Sequence, residues 1–123
     1  MLRSILSFLL LFFLITSCEE IINEENISND TLQLLAPTND AVLATKQKIA
    51  FNWEELEGAD NYQLQIATPD FVSATQIILD TLISRTDYMV DSLATKPYEW
   101  RVKGLNSAYE TGYSTNVFTV EEP

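Results

Sequence analysis

Leu93-Ala94-Thr95-Lys96-Pro97-Tyr98-Glu99-Trp100-Arg101-Val102 is the stretch that decides how this 123-residue chain folds. From Tyr98 on, the apolar residues Tyr98, Trp100 and Val102 alternate with the charged residues Glu99, Arg101 and Lys103. A period of two describes a strand with one face in a core and the other in water. The Pro just before Tyr98 marks the turn that feeds it.

The same period recurs on both sides. Upstream, Ile49, Phe51 and Trp53 alternate with Ala50 and Asn52, and Tyr62, Leu64 and Ile66 with Gln63 and Gln65. Between them, residues 54–61 are polar and turn-rich. Residues 76–82 and 86–90 are two further β-rich runs, and 67–74, with Pro69-Asp70 inside, reads as loop. Downstream, 106–112 is loop and 113–120 is a closing strand with Phe118 and Val120 on one face. An opening strand near 32–35 stops at Pro37. No stretch holds apolar residues at helical spacing for more than about two turns. Seven short strands in about 90 residues are best satisfied by two antiparallel sheets burying their apolar faces on each other. The predicted fold class is all-β, a seven-stranded antiparallel β-sandwich.

The spacing of Trp53, Tyr62 and the stretch from Leu93 to Val102 resembles a fibronectin type III domain of the immunoglobulin-like kind, over residues 32–120. In such sandwiches a corner tyrosine bonds to backbone a few residues upstream. The resemblance implies that Tyr98 takes this role, that Leu93 plugs the corner, and that Trp53 fills the centre of the core. One departure is that the Pro of the corner falls directly before Tyr98. Trp53, Tyr62, Tyr88, Tyr98, Trp100 and Phe118 all occupy inward positions of the predicted strands. They read as core rather than as a ligand platform, since aromatic residues dominate small cores.

The chain carries 7 Lys+Arg against 18 Asp+Glu, no His and one Cys. The formal net charge of -11 argues against nucleic acid as a partner. Without His and with a single Cys, zinc sites of the Cys/His type, His-based triads and an intrachain disulfide are excluded. Only 3 Gly are present, and neither a Gly-x-Ser-x-Gly nor a phosphate-cradling loop occurs. Glu54, Glu55, Glu57 and Asp60 form the one dense carboxylate group of the domain, but their spacing matches no calcium loop. The expectation is a protein that is not an enzyme and holds no metal or cofactor. For binding, Tyr109, Glu110 and Tyr113 near the last loop are candidate contact residues, with packing on the sandwich rim as the alternative. The outward stripe Glu99, Arg101 and Lys103, near Gln63 and Gln65 if those strands pair, is a second candidate patch. Cross-strand polar pairing would account for it equally well.

The first residues are of another kind. Arg3 is the only charge in residues 1–17, and Ile5 to Ile15 is an apolar run broken once by Ser7. Eleven residues are too few to span a bilayer, and a positive start followed by a short apolar core describes an export signal. Ile15-Thr16-Ser17-Cys18 resembles the lipobox of bacterial lipoproteins. That resemblance implies a cut before Cys18 and lipid on its thiol and new amine, the several acyl chains that stable anchoring requires. An ordinary signal with an accidental Cys, or an uncleaved short anchor, are the alternatives. The placing of the single Cys where the signal ends favours the lipoprotein. The mature chain would have 106 residues with 6 cations and 18 acids, a side-chain charge of -12.

Residues 19–31 hold five acids and no aromatic residue, and they read as a tether. Thirteen flexible residues span roughly 20 Å on average and about 45 Å when stretched. Glu19-Glu20 directly after the Cys resembles the signal for surface display in one group of Gram-negative lipoproteins. Asp30-Thr31-Leu32, Asp80-Thr81-Leu82 and Asp91-Ser92-Leu93 match the O-glycosylation pattern of the same group, although such pairs also begin turns. The chain thus divides into a signal (1–17), a lipidated acidic tether (18–31) and a sandwich (32–121). The implied partners are a lipid bilayer, through acylated Cys18, and a glycan or an envelope protein. The implied place is the outer membrane, facing outward or, as the alternative, the periplasm. The function read from these features is binding, adhesion or assembly. A structural lipoprotein of an envelope complex is the runner-up, and a carbohydrate-active enzyme of unrecognised type the third reading.

Overall fold

The computed structural model describes residues 23–123; Cys18, Glu19-Glu20 and the export signal lie outside the described residues. Eight strands form two sheets. The smaller holds β1 (Leu34–Ala36), β3 (Ile49–Trp53) and β6 (Asp87–Val90) in the order β1-β3-β6. The larger has the order β2-β8-β7-β4-β5, from β2 (Ala41–Ala44), β8 (Ser114–Glu121), β7 (Pro97–Leu105), β4 (Asn61–Thr68) and β5 (Gln76–Ile83). No helix occurs among the described residues.

The architecture is the all-β sandwich that the alternation predicts, with one strand more. The addition is β2, which pairs parallel with β8, Val42 opposite Thr119 and Leu43 opposite Val120. Four residues of Ala, Val and Leu carry too little periodicity to announce a strand. Their pairing follows instead from the chain crossing from one sheet to the other after Pro37. The buried Pro37 carbonyl accepts from Trp100 Nε1 and from Asn116 Nδ2, each at 3.3 Å, which ties the crossing to the larger sheet.

Between the sheets lies the core. Phe51 is fully buried and meets the Trp100 and Phe118 rings edge-on, with centroids 5.1 and 5.7 Å apart. Tyr98 stacks on Phe118 at 5.2 Å. Such aromatic contacts contribute beyond the area they bury. The centre is therefore Phe51 with Trp100 and Phe118. Trp53, on the last residue of β3, packs toward one end against Tyr62 at 5.7 Å. Its buried Nε1 has no acceptor among the described residues. Tyr88, opposite Phe51 on β6, is only half-buried.

The ends of the sandwich differ. One end carries the loops 54–60, 84–86 and 106–112, and the chain enters there. The opposite end carries 45–48, 69–75 and 91–96. There Tyr98 Oη donates to the Ala94 carbonyl at 2.7 Å, and Leu93 is buried beside it. The turn with Pro directly before the Tyr therefore still brings the hydroxyl back to backbone four residues upstream.

At the entry end, the described part of the segment read as tether packs against the domain. Ile27 is 0 % exposed. It sits against Gly58, whose φ is +90° and where an added Cβ would lie 2.9 Å from Ile27 Cγ2. Asn106 Nδ2 donates to the Glu25 carbonyl at 2.8 Å and to the Gly58 carbonyl at 3.0 Å. Ser107 Oγ donates to Glu24 Oε1 at 2.6 Å. The packed unit thus begins near Glu24, not at residue 32. Burial of one Ile in the hollow left by a glycine outweighs the polar composition around it.

Candidate functional site

Strand pairing assembles the outward stripe into one surface. On the outer face of the larger sheet, Gln63 lies opposite Lys103, Gln65 opposite Arg101 and Ala67 opposite Glu99. On the other side of β7, Thr115 faces Arg101 and Val117 faces Glu99. Asp80 of β5 stands opposite Gln65 and accepts from Gln63 Nε2 at 3.0 Å. These side chains share the phase opposite to Tyr98, Trp100 and Val102, so they point away from the core.

Arg101 is the centre of the surface. Its guanidinium carbon lies 3.9 Å from the Phe71 ring centroid and 4.1 Å from that of Tyr113. Its Nε donates to Gln65 Oε1 at 2.8 Å. The β4–β5 loop delivers Phe71: its backbone N–H donates to Glu99 Oε1 at 3.1 Å, and the Asp70 carboxylate caps the Ser73 N–H at 2.7 Å. A cation held between two ring faces gains about 0.5–2 kcal/mol from each contact, according to its exposure. Lys103 joins the group, with Nζ 4.9 Å from the Tyr113 centroid and 3.3 Å from Glu110 Oε2. Its side chain is 16 % exposed against 59 % for Glu110. Among the described residues the ion pairs are Arg85–Asp87 and Lys103–Glu110, and Arg101 takes part in neither.

Of the three loop candidates, the structure brings Glu110 and Tyr113 to this surface through Lys103 and Arg101. Tyr109 stays on the loop, 39 % exposed, in a turn where Asn106 Oδ1 accepts from the Ala108 and Tyr109 N–H groups at 3.0 and 2.7 Å. Glu54, Glu55, Glu57 and Asp60 are all exposed. Among the described residues, no group of three His, Cys, Asp or Glu is placed to hold a metal ion. Phe71 carries no periodic signal of its own in the sequence. It is a lone aromatic inside Pro69-Asp70-Phe71-Val72-Ser73, and the arginine over its ring lies 30 residues further along the chain.

An aromatic-clamped guanidinium can present a planar fork of N–H donors to a carboxylate, phosphate or amide oxygen, with little left to order on binding. It offers no nucleophile and no acid–base pair.

No protein-family model and no curated protein sequence matches the chain. Solved structures do. The crystal structure of FN3tt aligns with 75 % of this chain and 97 % of its own, at 14 % identity and a TM-score of 0.54. The fn3 domain of the human collagen alpha-1(XX) chain aligns with 78 % of this chain and 91 % of its own, at 16 % identity and a TM-score of 0.56. At such identities the likeness is one of fold. The sandwich has the fold of fibronectin type III domains.

Proposed function

We propose that this chain is a lipid-anchored, non-catalytic binding module of a bacterial cell envelope, and that it meets its partner through the outer face of the larger sheet. The observation that carries the binding part is the Phe71–Arg101–Tyr113 stack. A protein with far more acids than cations sets one arginine over two rings, gives it one amide oxygen and, among the described residues, pairs it with no carboxylate. The remaining guanidinium N–H groups suit an acceptor on a glycan carboxylate or on an envelope protein. Anchoring rests on the sequence Ile15-Thr16-Ser17-Cys18, and outward display on Glu19-Glu20.

Two experiments test these parts separately. Cys18→Ala should move the protein from the membrane to the soluble fraction, and retention in membranes at high salt would end the anchor reading. The soluble variant, titrated with uronic-acid and neutral oligosaccharides and with purified envelope proteins, should bind a carboxylate-bearing ligand. Adding Arg101→Ala should weaken that binding about tenfold or more, a change of about 1.4 kcal/mol. Arg85→Ala, in the loop that leads into β6 of the smaller sheet, should leave it unchanged, and equal loss in both would sink the assignment of the face. Protease treatment of intact cells separates outward display from the periplasmic reading.

A further inference from the structure

The entry of the chain has a consequence for how the domain stands on a membrane. Glu24 and Glu25 are held by Ser107 and Asn106, and Ile27 is buried against Gly58, so the first fixed point lies at the end carrying loops 54–60 and 106–112. Five residues, 19–23, separate that point from Cys18. Whatever their conformation, six steps of chain reach at most about 22 Å. This is half of what a free tether running to residue 31 would allow.

We infer that the anchored protein stands with its entry end toward the bilayer and the 69–75 end away from it. The inference rests on lipidation of Cys18 as proposed above. The nine residues of β7 carry the far end about 30 Å beyond the entry end. Tipping the domain onto its side would bring an acidic body against the surface. A mature charge of -12 opposes that wherever the leaflet is anionic. Exposed Glu25, Glu54, Glu55 and Glu57 also keep the entry end from adsorbing, so it rides near the limit of its leash. The loop with Tyr109 and Glu110 then faces a gap of a few tens of ångströms at most. Large partners approach the outer sheet face or the far end instead, and the bilayer limits their access to Tyr109.

Because the chain has one Cys, which lipid occupies, an introduced Cys is the sole free thiol of the lipidated protein. The test places a donor dye on Ala108→Cys or on Val72→Cys, the latter 96 % exposed at the far end. Each lipidated protein is put into anionic vesicles carrying an acceptor on the headgroups. Transfer should be several-fold greater from position 108 than from 72. Adding Ile27→Asp, with folding checked by circular dichroism, should free the clasp and shrink the difference. Equal transfer from both positions, or more from 72, overturns the orientation while leaving the anchor standing. Vesicle binding that persists in Cys18→Ala overturns the anchor, and the orientation with it.

Discussion

At the far end of the sandwich the Tyr98 hydroxyl reaches four residues back, to the Ala94 carbonyl, whereas at the entry end Asn106 reaches the carbonyls of Gly58 and Glu25, 48 and 81 residues away. Both devices close one end of the same two sheets and cover backbone that would otherwise be open. They differ in what must already be folded. The far-end corner belongs to a single stretch that carries its own strand, its turn and its plug. The entry-end clasp exists only once three separate segments have been brought together. A local device shares the stability of the core it is built into, and a remote clasp can open without it.

The largest effects test that difference in cooperativity. Leu93 and Ile27 are buried aliphatic residues at the far end and the entry end respectively. Leu93→Ala should lower the stability of the whole domain by about 2–5 kcal/mol, because Leu93 belongs to the main core cluster. Ile27→Ala should shift the urea midpoint less, while hydrogen exchange at the Asp30 amide, which bonds to the Ile27 carbonyl, rises by more than that shift explains. Equal midpoint shifts in the two variants would show the clasp to be part of the core.

A smaller effect separates the glycines. An alanine at Gly58 would meet Glu25 Oε2 at 2.6 Å and Ile27 Cγ2 at 2.9 Å, on a backbone with φ of +90°. Gly58→Ala should cost about 1–3 kcal/mol and act chiefly on the clasp. Gly112 has nothing within 4 Å of an added Cβ, so Gly112→Ala should stay within about 0.5 kcal/mol of the parent. Thermal unfolding of the two variants checks both. A neutral Gly58→Ala would mean that Ile27 can shift aside, and so that the clasp is loose.

What could be read in advance follows the same line. Tyr98, Trp100 and Val102 declare an inward face by their own spacing, as do Tyr62, Leu64 and Ile66, and the two sheets follow from the need to bury those faces. β2 could not be read, because its strand character comes from β8 rather than from its own four residues. Ile27 could not be read either, since one apolar residue in an acidic segment has no period, and its seat is the missing side chain of Gly58. The candidate surface lies between these cases. The alternation placed Glu99, Arg101 and Lys103 outside with Gln63 and Gln65 as neighbours. The clamp on Arg101 needed Phe71 and Tyr113 from loops on either side, whose paths no local pattern records.

The smallest effect concerns the tyrosines of the two ends. Tyr98 Oη donates to a carbonyl, whereas Tyr62 Oη accepts from the Leu56 N–H at 3.0 Å. Tyr98→Phe and Tyr62→Phe should each cost about 0.5–1.5 kcal/mol at neutral pH, the net worth of one hydrogen bond. Raising the pH then probes Tyr98. Burial raises its pKa above the ordinary value. Between the unfolded value of about 10 and the higher folded one, the folded state holds more protons than the unfolded state, so stability falls as pH rises. The contribution is complete below the unfolded value and is lost as pH passes the folded one. The physical reason is that a phenolate can neither donate to the Ala94 carbonyl nor sit comfortably beside Phe118. Urea midpoints of the parent and Tyr98→Phe should therefore be separated near neutrality and converge above pH of about 10. A separation that stays constant through that range would mean that the far end opens to water before Tyr98 ionises. The local corner would then be no firmer than the remote clasp.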